Sequence, residues 1–182
     1  MTTIVGISGS LRRGSLNSSL LRAAVQATPA SVELDVATIR GIPLYDGDVE
    51  AEGIPDVVVK LKDRIAAADG LLLVTPEYNN SLPGVFKNAI DWLSRPDTDI
   101  PRVFGGKRVA VMGASPGGFG TLLSQTAWLP VLKTLGTQPW FGGRLQVSRA
   151  RDVFDADGNL LDARVRDQLT KFMAGFAAFC GK

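Results

Sequence analysis

Short apolar runs alternate with segments of helical periodicity along this chain, and that alternation restricts the folds open to it. "TIVGIS" (Thr3–Ser8), "VELDVATI" (Val32–Ile39), "GLLLVTP" (Gly70–Pro76) and "GKRVAVMGAS" (Gly106–Ser115) read as strands, and "QPWFGGRLQV" (Gln138–Val147) contains a last one. The first, third and fourth are apolar almost throughout, the pattern of strands covered on both faces. Between the strands, Asn17–Thr28, Asp56–Asp69, Gly84–Arg95, Thr121–Leu135 and the closing Ala163–Cys180 read as helices. Asp56 is expected as an N-cap, Pro83 in the first turn of its helix, and Pro130 as a disturbance of the fourth helix. "RGIPLYDGDVEAEGIP" (Arg40–Pro55) reads as a long loop. Strands that alternate with helices predict an α/β fold, a three-layer sandwich. Its core is a five-stranded parallel sheet in the order 2-1-3-4-5, with right-handed crossovers and helices on both faces. The chain reads as one domain, residues 1–182, without repeat or linker.

The residue types present narrow the chemistry. The chain has no histidine and one cysteine, Cys180. Ser-His and Cys-His dyads, His-ligated zinc, thiolate metal clusters and an internal disulfide are therefore excluded, and no metal site is expected. Difficult chemistry here has to come from a bound molecule. Net charge is +2, and the basic residues are scattered rather than gathered into a stripe. That argues against a nucleic-acid partner and favours the attraction of small anions. No apolar run is long enough to span a bilayer, and the first residues lack the pattern of a secretory signal. A cytoplasmic protein is expected.

In a sheet ordered 2-1-3-4-5, ligands bind outside the carboxyl ends of strands 1 and 3, where the chain reverses its direction of winding. Two unusual loops fall there. The first, within "GISGSLRRGSLNSSL" (Gly6–Leu20), offers Ser10, Arg12, Ser15, Asn17 and Ser18 around a helix N-terminus. It matches neither the Gly-Lys-Ser/Thr phosphate loop nor the Gly-x-Gly-x-x-Gly dinucleotide turn. Many donors without close glycines suit the three free oxygens of a phosphate monoester. The same residues also read as a serine-rich helix cap with exposed arginines. The second loop, "PEYNNSL" (Pro76–Leu82), sets Tyr78, Asn79 and Asn80 in a proline-stiffened frame, either a platform for a flat ring or a plain surface turn.

A third loop, "GASPGGFG" (Gly113–Gly120), carries the Gly-x-Ser-x-Gly spacing of a hydrolase nucleophile. Without a histidine, Ser115 has no base. A glycine-rich wall near a flat ligand, or a tight connection needing positive φ, remains. "DADGNL" (Asp155–Leu160) has the look of a calcium loop but lacks its closing Glu, and reads as an Asp-Gly turn. Phe172, Phe176 and Phe179 recur at helical spacing and read as core. Trp92 lies next to the site in sequence, on a helix available to face a partner subunit.

Taken together, "GSLRRGSLN", "PEYNNSLPGVFKNAIDWLSR" and "GASPGGFG" resemble the NADPH-dependent FMN reductase family, a flavodoxin-like group that includes bacterial quinone and chromate reductases and azoreductases. The resemblance runs from Ile4 to about Phe179. It implies FMN with its phosphate on Ser10, Arg12, Ser15, Asn17 and Ser18. Its ring would lie against Pro76, Glu77, Tyr78 and Asn79, with Ser115, Pro116, Gly117 and Gly118 on the other side. It also implies homodimers or homotetramers with the flavin near an interface lined by Gly84–Arg95. NADPH or NADH would give a hydride to flavin N5, so no side chain is assigned a catalytic role. An acceptor would then take two electrons in a ping-pong cycle. Quinones, azo compounds, free flavin and chromate-type oxyanions all remain open as that acceptor. The alternative is a flavodoxin-type electron carrier without its own NAD(P)H oxidation; the basic pI of about 8.8 argues against it.

Overall fold

The computed structural model describes residues 1–181; Lys182, the last residue of the expected domain, lies outside the described residues. In chain order the elements are β1 (Thr2–Ser8), α1 (Leu16–Ala27), β2 (Val32–Ala37), α2 (Gly47–Glu52), α3 (Asp56–Ala67), β3 (Gly70–Val74) and α4 (Gly84–Leu93). A 3₁₀ turn (Asp97–Asp99) then leads to α5 (Ile100–Val103), β4 (Arg108–Ala114), α6 (Leu122–Thr134), β5 (Gln138–Pro139), β6 (Gln146–Val147) and α7 (Ala163–Cys180). All strand pairings are parallel and the sheet order is β2-β1-β3-β4-β5, the flavodoxin-like topology, with β6 also paired to β4.

Strand alternation assigns each core. Val5, Ile7, Leu71, Leu73 and Val109 point to one face, where α3, α4, α5 and α6 bring Ile65, Phe86, Trp92, Phe104 and Trp128. Ile4, Leu72, Val74, Ala110 and Met112 point to the other, against α1 and α7 with Leu20, Leu21, Leu169, Phe172 and Phe176. The central strands are thus covered on both sides, as their unbroken apolar runs require. Phe172 and Phe176 are buried and Phe179 packs partly buried beside them.

Several local expectations change. The expected fifth strand is in two pieces. Gln138–Pro139 pairs with Arg108–Val109 and Gln146–Val147 with Gly113–Ala114, and the chain between them leaves the edge. Gly142 and Gly143 there lie under the Trp140 ring, where a Cβ would come within 2.5 and 2.7 Å of the indole. The long loop contains α2, a six-residue helix capped by the Asp46 carboxylate and burying no residue, so no apolar period announces it. Pro55 rather than Asp56 occupies the cap of α3, and Pro83 precedes α4 as its cap. Helix α6 runs unbroken through Pro130. Pro130 and Thr126 are both exposed, so the carbonyl that Pro130 cannot serve is open to water. Trp92 is fully buried, its Nε1 donating to the Pro43 carbonyl at 3.0 Å.

Candidate functional site

The three polar loops leave adjacent strands at one edge of the sheet. Ser8 at the end of β1 pairs with Val74 at the end of β3, and Val74 with Met112 of β4. The ladder continues past the strand ends: Gly9 N–H donates to Val74 O (2.9 Å), Thr75 N–H to Met112 O (2.8 Å) and Ser115 N–H to Val147 O (2.9 Å). Glycine is required where the loops touch the core. A Cβ on Gly9 would lie 2.1 Å from Cδ1 of Phe86, and one on Gly113 would lie 2.1 Å from the Thr75 carbonyl and 2.5 Å from Thr121 Oγ1.

In the first loop Ser15 caps α1, its hydroxyl accepting from Ser18 N–H at 3.2 Å. Ser18 Oγ donates to Ser8 Oγ at 3.1 Å, and Ser10 Oγ accepts from Arg12 N–H. Arg12 is exposed and donates one guanidinium N–H to the Gly14 carbonyl at 2.5 Å, leaving its other donors free. Ser10, Arg12, Ser15 and Ser18 therefore surround the α1 N-terminus, whose leading amides favour an anion. Asn17 departs from the expected set. It is buried, and its side-chain amide engages the Ala114 backbone, Nδ2 donating to Ala114 O and Oδ1 accepting from Ala114 N–H, both at 2.8 Å.

The second loop is a tight hairpin. Tyr78 and Ser81 exchange backbone hydrogen bonds of 3.0 Å in both directions, with Asn79 at φ 49° and Asn80 at φ 61° between them. Positive φ at both central positions is the type I′ geometry, which Asn tolerates. The turn leaves Tyr78 and Asn79 exposed at its tip. Glu77 turns the other way. Its carboxylate accepts from Leu123 N–H (2.8 Å) and Ser124 N–H (3.0 Å), capping α6. Pro76 is buried, and its carbonyl accepts from Thr75 Oγ1, which in turn bonds Ser124 Oγ (2.8 Å) and Trp128 Nε1 (3.0 Å). This hairpin is therefore fixed to α6 at two points. Nothing in the local sequence announces Thr75, Ser124 or Trp128 as partners; only folding brings them together.

The third loop faces these two. Ser115 Oγ accepts from Gly117 N–H at 3.2 Å, and Pro116, Gly117 and Gly118 are exposed. The segment after β6 braces the turn, with Arg149 N–H on Gly117 O and Ala150 N–H on Ser115 O, both at 3.0 Å. Among the described residues no basic side chain hydrogen-bonds Ser115, and its hydroxyl instead closes a turn on Gly117 N–H. Beyond the β2 end, Tyr45 and Glu50 bind α4 and the segment after it. Tyr45 N–H donates to Asn88 Oδ1 (2.8 Å), Tyr45 Oη to Glu50 (2.8 Å) and Arg95 Nε to Glu50 (2.9 Å). The Arg95 guanidinium, then the Tyr45 hydroxyl, holds the Glu50 carboxyl below its usual range, and Glu50 pushes the Tyr45 phenol up. Among the described residues no cluster of acidic or Cys side chains is arranged to hold a metal.

A parallel sheet of this order, with polar loops leaving the ends of β1, β3 and β4 side by side, defines a flavodoxin-like α/β protein. Over residues 2–152 the sequence matches the family described as NADPH-dependent FMN reductase. It is 46% identical over 164 residues to an NAD(P)H-dependent FMN reductase of Pseudomonas aeruginosa, covering 90% of this chain and 87% of that one. It is 40% identical to a 2-hydroxy-1,4-benzoquinone reductase of a Burkholderia species, covering 97% and 94%. The solved NAD(P)H:acceptor flavoenzyme of Paracoccus denitrificans superposes with a TM-score of 0.89 at 34% identity, over 100% of this chain and 98% of that one. The chain belongs to the NADPH-dependent FMN reductase family, oxidoreductases that work with FMN and a nicotinamide co-substrate.

Proposed function

We propose that the chain forms one FMN-binding domain that passes two electrons from NADPH or NADH to a quinone. The observation that carries this reading is the convergence of the Arg12 loop, the Tyr78–Asn79 hairpin and the Ser115–Gly118 turn at the ends of β1, β3 and β4. The residues fit the group. The first loop supplies donors for one phosphate monoester and no glycine-lined diphosphate turn, while close packing at Gly9 and Gly113 sets the loops at fixed separation. Bound FMN would supply the hydride-accepting and hydride-donating chemistry that no side chain here has.

The residues then divide the work. Ser10, Arg12, Ser15 and Ser18, with the α1 N-terminus, hold the phosphate. Pro76, Tyr78 and Asn79 line one side of the ring and Ser115, Pro116, Gly117 and Gly118 the other. Asn17 and Glu77 act from behind, fixing the loops that make these contacts. Exposed donors at Asn79 and in the glycine turn orient the ring and stabilise negative charge on it. The quinone is favoured because relatives are named as quinone reductases. Azo compounds, free flavin and chromate-type oxyanions would enter by the same open face.

A cytoplasmic homo-oligomer is part of the same reading. Helix α6 leaves Leu122, Leu123 and Leu129 exposed, and Phe119 just before it is 84% exposed. Tyr78 and Val85 lie exposed on the neighbouring hairpin and α4, so a second copy over this face would cover the ring loops. Among the described residues no helix is long and apolar enough to cross a membrane. Denaturing the purified protein and chromatographing its flavin should give FMN. NADPH oxidation should proceed with a quinone and no protein partner, with parallel double-reciprocal lines. FAD as the dominant flavin would overturn the cofactor assignment, and NADPH oxidation only with a protein partner would favour the electron-carrier reading.

A further inference from the structure

Arg40 lies outside every motif discussed above, yet it is the one side chain from elsewhere in the chain that hydrogen-bonds residues 10–14 among the interactions described. Its Nη2 donates to the Leu11 carbonyl at 2.8 Å. The approach is built in. β1 and β2 pair in register up to Ile7 and Ala37, so the loops that follow them run side by side. Arg40 then occupies the second position of an Ile39–Ile42 turn closed by Ile42 N–H on Ile39 O. Buried Ile39 anchors this turn, and Gly41 at φ 87° supplies the positive φ that a type II turn needs at its third position. The Arg40 N–H also donates to Thr38 Oγ1 at 3.1 Å, which fixes the residue's start.

A phosphate monoester carries about −1.5 to −2 charges at neutral pH. Arg12 supplies one positive charge. Arg13, its neighbour in sequence, lines a separate cavity of about 280 Å³ with Ser19, Arg22 and Asp155. Arg40 is exposed and spends one of five guanidinium donors on Leu11. We propose that Arg40 is the second cation of the FMN phosphate site and a positioning residue for the Ser10–Gly14 loop. The proposal rests on the FMN reading above.

The test compares FMN and riboflavin, which differ only in the phosphate, on apoprotein made from wild type, Arg40→Ala and Arg40→Lys. Arg40→Ala should raise the FMN dissociation constant about tenfold, the size of one charge-assisted contact. Riboflavin should change by less than about twofold, and the salt dependence of FMN binding should become shallower. Arg40→Lys should recover most of the FMN affinity, because it keeps the charge and one donor. Equal weakening of both ligands, or no weakening of FMN, would overturn the proposal, and so would a change confined to NADPH against NADH. If wild type itself binds riboflavin as tightly as FMN, the phosphate reading of the whole loop falls, and Arg40 with it.

Discussion

Asn17 and Ala114 stand 97 residues apart in sequence, yet the Asn17 side chain closes a two-bond ring with the Ala114 backbone, both contacts 2.8 Å and buried. The start of α1 is thereby tied to the end of β4, across the strand between them. The loop after β1 and the glycine turn after β4 are consequently joined through this contact. Asn17→Ala would leave a buried N–H and a buried carbonyl without partners, a cost of about 2–4 kcal/mol. Thermal unfolding should show a fall of roughly 4–16 °C for a chain of this size. FMN affinity should fall with it, and Asn17→Asp should not restore it, because a carboxylate cannot donate to Ala114 O. Unchanged stability in Asn17→Ala would remove the tie from the account.

Gly9 is required by space rather than by φ. Gly9→Ala puts a methyl group 2.1 Å from the fully buried Phe86 ring, so either the loop or the core gives way, at about 1–3 kcal/mol. FMN binding should weaken in this variant. Phe86→Leu in the same chain should restore part of it, and the double-mutant cycle measures that coupling directly. Independent effects of the two substitutions would show that the contact is relaxed without consequence.

Ser115→Ala should keep most of the reductase activity. The hydroxyl accepts one bond from Gly117 N–H and, among the described residues, meets no base, and loss of one neutral hydrogen bond costs about 0.5–1.5 kcal/mol. A fall of several orders of magnitude in kcat with FMN still bound would mean that this serine has a chemical role.

Acid should loosen the segment that packs on α4 and the adjoining 3₁₀ turn. Arg95 and Tyr45 hold Glu50 below its ordinary value, and Lys62 and Arg102 do the same to Asp99. A depressed carboxyl contributes stability that is fully present above its unfolded pKa and is lost as pH falls through the folded one. The melting temperature should therefore be level near neutrality and decline below the usual carboxylate range. Glu50→Gln and Asp99→Asn should each lower stability at pH 7 and flatten that decline. The buried Cys180 thiol, pushed up to about 11 by desolvation, should react with alkylating reagents at pH 8 only after denaturation.

The sheet was legible because its central strands are buried on both faces, so their apolar runs stand out whatever surrounds them. The loops were legible because clustered hydroxyls, guanidiniums and asparagines at strand ends have few structural reasons to be there. Short-range chemistry stopped at distances that only folding closes. That the Asn17 amide is engaged by the Ala114 backbone, and the Glu77 carboxylate by the α6 amides, is invisible in the local sequence. Arg40 reads as an anonymous loop residue until the register of β1 and β2 sets it beside Leu11. Helix α2 buries nothing, so no periodicity could reveal it. Residue types and their spacing determined the order of layers and the edge that holds the site. Which polar atoms stay free for a ligand, and which are consumed in holding the loops, was decided by contacts between segments up to 97 residues apart, where hydrogen-bonding capacity is shared out only once the chain is packed.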